Sequence, residues 1–202
     1  MLHDTIRTAI AFALLGTTGC GLLDLNPSSD GGGGVPSGGA NGYGKPTLEV
    51  TVGGVHFGPA APDGASAAQL TTSYDQYSNQ AVDTRLIVNV SATSVGAACS
   101  LGIFRQGEDV APFTTAGYRF SADSSGPTPD GMAVPISGEG VSVPQGGWSC
   151  SGDGCNGGAL VITGLDEAHI EGYVGGTFVS NVGGPYEDVV CAFYLPWAVY
   201  QP

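Results

Sequence analysis

Beyond residue 45, apolar and polar residues alternate in short segments along most of the chain. Leu48, Val50 and Val52 alternate with Glu49 and Thr51. Because successive side chains of a β-strand point to opposite faces, this period of two predicts strands with one buried face. Further strand segments, alternating or short and apolar, lie at 85–90, 99–103, 118–121, 133–136, 140–143, 160–162, 169–180 and 189–195.

These segments predict a single all-β domain over residues 46–202. Clusters of turn-forming residues, such as Ser124–Gly131, separate the strands. About nine or ten short strands at this spacing favour an antiparallel β-sandwich or a small β-barrel. No long segment has the 3.6-residue period of an amphipathic helix, and only Ala60–Gln69 is compatible with a short one. We therefore expect little helix.

Composition supports the all-β prediction, and the charge excludes some partners. The chain has 35 glycines and 13 prolines, which suit turns better than helices. Its formal net charge is −13, and the only basic residues beyond residue 45 are Arg85, Arg105 and Arg119. Nucleic acids and anionic membrane surfaces are bound by clustered Lys and Arg. The sequence therefore argues against nucleic-acid binding and against electrostatic attachment to a membrane.

The first residues have the pattern of an export signal. Arg7 precedes an apolar run over residues 8–15, and the small residues 16–19 lead to Cys20. The run is too short to span a bilayer, which takes about 20 apolar residues. The segment resembles the lipobox of bacterial lipoproteins at Thr18, Gly19 and Cys20, although Thr17 stands where that family usually carries Leu. The resemblance implies a signal peptide over residues 1–19 and lipid attachment at Cys20, and an ordinary secretory signal is the alternative.

Residues 20–45 are predicted to be a flexible tether that begins at the lipidated cysteine. Eight of the fourteen residues 31–44 are glycine, and such a segment buries too little apolar surface to order itself. We expect a lipid-anchored protein of the bacterial cell envelope, on the periplasmic or the cell-surface side of the outer membrane. Gly21, in place of Asp after the cysteine, favours the outer membrane in that family.

The segment Leu160–Phe178 has the pattern of a hairpin with an acidic turn. Together with an early strand pair at Leu48–Phe57, it resembles small β-rich bacterial lipoproteins of no known activity. The resemblance implies a fold type only. Glycines in the second strand of the hairpin, Gly172, Gly175 and Gly176, predict a kink or bulge there, because glycine relieves crowding within a strand.

Four cysteines lie in the predicted domain, and an even number in an exported protein indicates two disulfides. Three pairings are possible. Cys150 and Cys155 flank a short loop, whereas Cys99 and Cys191 occupy core-facing strand positions. We expect Cys150–Cys155 and Cys99–Cys191 bridges. A zinc site is the alternative, but only one C-x₄-C pair is present and the compartment is oxidising.

Candidate chemistry is sparse. Asp166, His169 and Glu171 form the densest polar cluster and are the candidate ligands for a divalent cation, with a solvated hairpin end as the competing interpretation. His56 is interpreted as a strand residue. No nucleophile elbow and no pair of histidines one helical turn apart is present. Nothing in the sequence singles out two catalytic carboxylates, so we assign no catalytic residue and no cofactor.

Aromatic residues suggest one further kind of surface. Tyr74, Tyr77 and Trp148 are candidates to line a carbohydrate or peptide surface. The sequence as a whole favours a non-enzymatic binding or structural module, attached to the membrane by its lipid and interacting with a protein partner. The alternatives are a hydrolase-like enzyme with a carboxylate or Ser/His site, and a protein that binds divalent cations or glycans.

Overall fold

The computed structural model describes residues 45–136, 139–150, 158–184 and 186–197, and these residues contain twelve strands and no helix. The all-β prediction is confirmed. In the described part of the chain, no helix is long and apolar enough to cross a membrane. The strands are β1 Thr47–Val52, β2 Val55–Ala60, β3 Ala67–Tyr74, β4 Ala81–Ala92, β5 Ala97–Gln106, β6 Gly117–Phe120, β7 Met132–Pro135, β8 Glu139–Val143, β9 Gly146–Cys150, β10 Ala159–Leu165, β11 His169–Ser180 and β12 Tyr186–Pro196.

Several predictions fall on residues outside these ranges. The signal peptide over 1–19, the lipid attachment at Cys20 and nearly all of the 20–45 tether lie outside the described residues, as does Cys155. They remain predictions.

The strand count was predicted too low because β3 and β9 lack an alternating apolar pattern. Only Ala68 of β3 is buried, and in β9 Trp148 is the one large apolar residue among glycines and polar residues. The short helix suggested for Ala60–Gln69 is wrong. Its first residue ends β2, its last three begin β3, and Pro62 and Gly64 between them disfavour a helix.

All strand pairs are antiparallel except β6–β7, and together they form one twelve-stranded sheet. Strands β2, β1, β12 and β11 are neighbours at one end, and β3, β4 and β5 are neighbours at the other. Two hydrogen-bonded routes connect the ends. One runs from β5 through β8 and β9 to β11, and the other runs from β5 through β7, β6 and β10 to β11.

The sheet folds over so that β1 lies close to β4 and β5 without pairing with them, which gives the two packed layers of a sandwich. The inward-facing positions predicted from the alternation form the core. The largest fully buried apolar side chains are Leu48, Val50, Leu86, Val88, Ile103, Leu160, Ile162, Ile170, Val189 and Leu195.

The β10–β11 hairpin was predicted at Leu160–Phe178 and is present, with an irregularity in its register. The pairing shifts between Ile162 and Gly164, opposite Gly172. A Cβ atom added to Gly172 would collide with the main-chain carbonyl of Val161. Glycine is therefore required here by the close approach of two backbones. The irregularity lies in β10, whereas β11, where a kink or bulge was predicted, pairs with β12 without a break from His169 to Val179.

Candidate functional site

An open groove crosses the solvent-facing side of β4, β5, β8 and β9. Its volume is about 550 Å³, and small-molecule sites typically measure roughly 300–1,000 Å³. We call it the serine–asparagine groove, because its polar lining consists of hydroxyl and amide side chains. These are Asn89 and Ser91 of β4, Ser100 of β5, Ser142 of β8, Ser149 of β9, Asn181 after β11 and Ser66 before β3.

The alternation of the strands places these side chains on one surface. Val90, Cys99 and Val141 point into the core, so the residues on either side of each point outward. Small residues at other outward positions, such as Ala98 and Gly140, leave the surface concave. The groove therefore results from four neighbouring strands that each contribute short side chains.

Part of the polar lining is already engaged within the protein. The Ser100 hydroxyl donates a hydrogen bond to Asn89 Oδ1 over 2.8 Å, which leaves the Asn89 side-chain nitrogen available. The Asn181 main-chain nitrogen donates to the Gly147 carbonyl over 2.8 Å. Ser142 is exposed, and its hydroxyl makes no hydrogen bond within the described residues. The groove thus offers unpaired donors and acceptors to a ligand.

Trp148 also lines the groove, although only 8% of its surface is exposed. Its indole Nε1–H is buried and has no hydrogen-bond acceptor among the described residues. Trp148 also belongs to the buried core, so its side chain lies between the core and the groove.

The two tyrosines proposed with Trp148 lie elsewhere. Tyr74 and Tyr77 lie at the turn between β3 and β4, whereas Asn89 in the groove pairs with the opposite end of β3. Eight residues of strand separate Ala81 from Asn89, a distance of about 26 Å. The prediction of one aromatic surface is therefore wrong, because the hairpin keeps its turn far from the groove.

A hydrogen-bonded clamp holds the loop that borders the groove. Asp63 accepts hydrogen bonds from the Ser91 hydroxyl over 2.8 Å and from the Thr93 hydroxyl over 3.0 Å. The Ser91 main-chain nitrogen donates to the Ser66 hydroxyl over 3.0 Å. The bond from Ser91, followed by those from Thr93, lowers the pKa of Asp63, so its carboxylate stays ionised and keeps this loop in place.

The predicted cation ligands lie at the β10–β11 turn, where Asp166 and His169 bond to the protein and to each other, whereas the buried Glu171 Oε1 has no hydrogen-bond partner among the described residues. Asp166 Oδ1 accepts hydrogen bonds from the main-chain nitrogens of Ala168 and His169, and the first of these is the main cause of the lowered pKa of Asp166. The His169 Nδ1 lies 2.8 Å from the same oxygen, and its ring stacks on Tyr194. No group of three His, Cys, Asp or Glu side chains among the described residues is arranged to hold a metal ion.

Two glutamates converge on the outer face of the other layer. Glu49 and Glu171 line one small cavity of about 20 Å³ beside Tyr194. His56 lies 3.6 Å from Glu49 and 3.0 Å from the Thr51 hydroxyl. A cavity of this size holds roughly one water molecule, because a water occupies about 10–15 Å³ of such volume. The pair is therefore not placed around a space that admits a sugar ring.

The two core cysteines meet across the sandwich. Cys99 of β5 and Cys191 of β12 are both buried, and their side chains lie close to each other. Burial, together with Cys99, raises the pKa of the Cys191 thiol. Both cysteines are free thiols in the structure. The predicted bridge thus has its partners side by side and stays a prediction, while the Cys150–Cys155 pair lies outside the described side chains.

The chain matches no protein-family model, no curated protein and no solved structure. The functional argument therefore depends on the chain's own residues and their geometry.

Proposed function

We propose that this protein is a lipid-anchored module of the bacterial cell envelope that binds a ligand through the serine–asparagine groove and catalyses no reaction. The observation that carries the proposal is the groove itself. It is an open concave surface, and its described polar lining consists of serines and asparagines. Such side chains bind by hydrogen bonds and carry no net charge.

The lining also explains why binding is favoured over catalysis. General acid–base catalysis uses side chains that exchange protons near neutral pH, such as His, Glu or Asp. Among the described residues that line the groove, Cys99 is the only titratable side chain, and it is 2% exposed. A groove with this lining can bind a ligand by hydrogen bonds, but it supplies no exposed side chain that gains or loses a proton near neutral pH.

The sequence supports the proposed location. The export pattern that ends at Cys20, the glycine-rich residues 31–44 and the even number of cysteines in the domain all suit a protein tethered outside the cytoplasm. Several acyl chains on one residue give stable attachment, because each buried CH₂ contributes about 0.8 kcal/mol.

The groove assignment can be tested without knowing the ligand. We expect neutral polar fragments, titrated into the ¹⁵N-labelled mature chain carrying Cys20→Ser, to shift the NMR signals of groove residues and the indole N–H of Trp148. The physical reason is that the groove combines free hydrogen-bonding groups with a concave shape. Trp197, whose indole donates to the Asp166 carbonyl, is the internal control. Shifts concentrated at the β3–β4 turn instead would contradict the assignment.

The anchor has a separate test. Cys20→Ser removes the cysteine that the lipobox resemblance assigns to lipid attachment, so we expect this variant to lose palmitate labelling and to move from the membrane fraction to the soluble fraction. Thr17→Leu, which restores the usual lipobox residue, is the matched control and should stay labelled and membrane-bound. A Cys20→Ser variant that remains in the membrane fraction would refute the lipid anchor.

A further inference from the structure

We propose that the ligand of the serine–asparagine groove is a neutral oligosaccharide. This inference rests on the proposed function, since it names the chemical class of ligand for the same groove. The groove is suited to a molecule whose surface consists of closely spaced hydroxyl groups, and three features of the structure lead to this choice.

The first feature is the hydrogen-bonding character of the lining. A serine hydroxyl donates one hydrogen bond and accepts others, and an asparagine amide presents a donor and an acceptor side by side. Ser142 and the side-chain nitrogen of Asn89 are exposed and available, and Asn181 is exposed at the groove's edge. Neighbouring sugar hydroxyls also donate and accept together, so they can pair with these side chains. Serine is short and loses little rotamer entropy when it binds.

The second feature is charge, which favours a neutral sugar over an anionic one. The chain carries a net charge of −13, so its field repels anionic polymers. Two of the basic side chains in the domain are already paired with acids. Arg85 bonds to Asp83 over 2.8 Å, and Arg105 is buried and bonds to Asp130. No arginine or lysine among the described residues lines the groove.

The third feature is the position of the groove in the sheet, which disfavours a peptide strand. Extended peptides usually bind by adding to a free sheet edge, where main-chain groups are unpaired. The groove instead crosses neighbouring strands, and β5 and β8 within it are paired along both edges. A ligand there meets side chains rather than unpaired main-chain groups, which is how a sugar is bound.

Trp148 determines the kind of contact that we expect. Many sugar sites place a ring on an exposed aromatic face, but Trp148 is too deeply buried to offer one. Its side chain belongs to the buried core, so a ligand meets the serine and asparagine side chains rather than the indole ring. We therefore expect binding that depends on hydrogen bonds, is weak for one site, and is strengthened where anchored copies meet a polymer with repeated units.

The test is a titration of the mature chain carrying Cys20→Ser with neutral gluco-, manno- and N-acetylglucosamine oligosaccharides, followed by NMR. We expect at least one series to shift groove signals and the Trp148 indole signal in a saturable manner.

Ser142→Ile should weaken that binding by roughly tenfold or more, because the larger side chain fills the groove and removes a hydroxyl. A β-branched residue suits an exposed strand position, so the variant should fold. Ala98→Ile is a second filling variant, and Ser73→Ile, on β3 away from the groove, is the matched control.

The outcomes separate the ligand class from the proposed function. If neutral fragments bind the groove but no neutral oligosaccharide does, the sugar assignment is overturned and the groove assignment stands. The same holds if anionic oligosaccharides or unstructured peptides bind there more tightly than neutral sugars. If neither fragments nor sugars shift groove signals, both proposals fail. If sugars bind and Ser73→Ile weakens binding as much as Ser142→Ile, the sugar site is not the groove.

Discussion

A disulfide between Cys99 and Cys191 is expected to raise the free energy of unfolding by about 4–5 kcal/mol relative to the reduced protein. The two residues are 92 positions apart in the chain, so a bridge removes much of the entropy of the unfolded state. The folded protein needs little rearrangement to accept it, because β5 and β12 already bring the two side chains into contact. The bridge would join the two layers of the sandwich through its core.

The measurement is urea unfolding with and without reductant, in a Cys150→Ser/Cys155→Ser background that removes the other predicted pair. The control is the same background with Cys99→Ala and Cys191→Ala, whose stability should not depend on reductant. A non-reducing peptide map of the unmodified domain that joins Cys99 to Cys150 or Cys155 would refute the pairing, as would equal stability with and without reductant.

Replacing Arg105 with alanine is expected to lower the free energy of unfolding by about 2–4 kcal/mol. Arg105 is 4% exposed, donates to the Ala111 carbonyl over 2.9 Å and lies over the ring of Tyr118. It also reaches Asp130. Its side chain therefore holds the segments before β6 and before β7 against β5. Without it, the Ala111 carbonyl loses its partner and the ring loses a packed neighbour.

Two further variants locate the source of this stability. Arg105→Lys keeps the charge but cannot form both hydrogen bonds of the guanidinium, so its loss should be intermediate. Asp130→Ala should have a much smaller effect, because the Asp130 carboxylate is fully exposed and its pairing is screened by water. If urea unfolding shows equal losses for Asp130→Ala and Arg105→Ala, the ion pair rather than the buried contacts is the main contribution.

Strands with clear alternation were predictable, and those without it were not. In β1, β4 and β12 the buried inward positions are apolar except for Thr84 of β4, so the pattern identifies both the strand and its buried face. β3 and β9 are held by hydrogen bonding to neighbouring strands, and among their described side chains each buries only one, Ala68 in β3 and Trp148 in β9. Such strands are decided by tertiary pairing, which local pattern does not contain.

The groove was not predictable for a similar reason. Ser91, Ser100 and Ser142 each look like ordinary solvent-facing positions of separate strands. They become one surface only because β4, β5 and β8 are neighbours, and strand order depends on long-range pairing. Trp148 was the one signal in the sequence that pointed to this region. In contrast, the sequence pointed to Asp166, His169 and Glu171 as candidate cation ligands. In the structure, Asp166 and His169 form hydrogen bonds that close a turn.

Two hydrogen-bonded routes connect β5 to β11, and we expect the route through β8 and β9 to open more easily than the route through β7, β6 and β10. The β8–β9 hairpin forms one wall of the groove, and it touches β11 through only two residue pairs, Val179 with Ser149 and Ser180 with Trp148. If that short ladder separates, β7, β6 and β10 still hold the halves of the sheet together. We therefore expect the groove wall to open locally before the rest of the sheet does. Because Val141 and Trp148 of this wall belong to the core and Val141 pairs with Cys99, such an opening would give solvent a route to the Cys99 thiol.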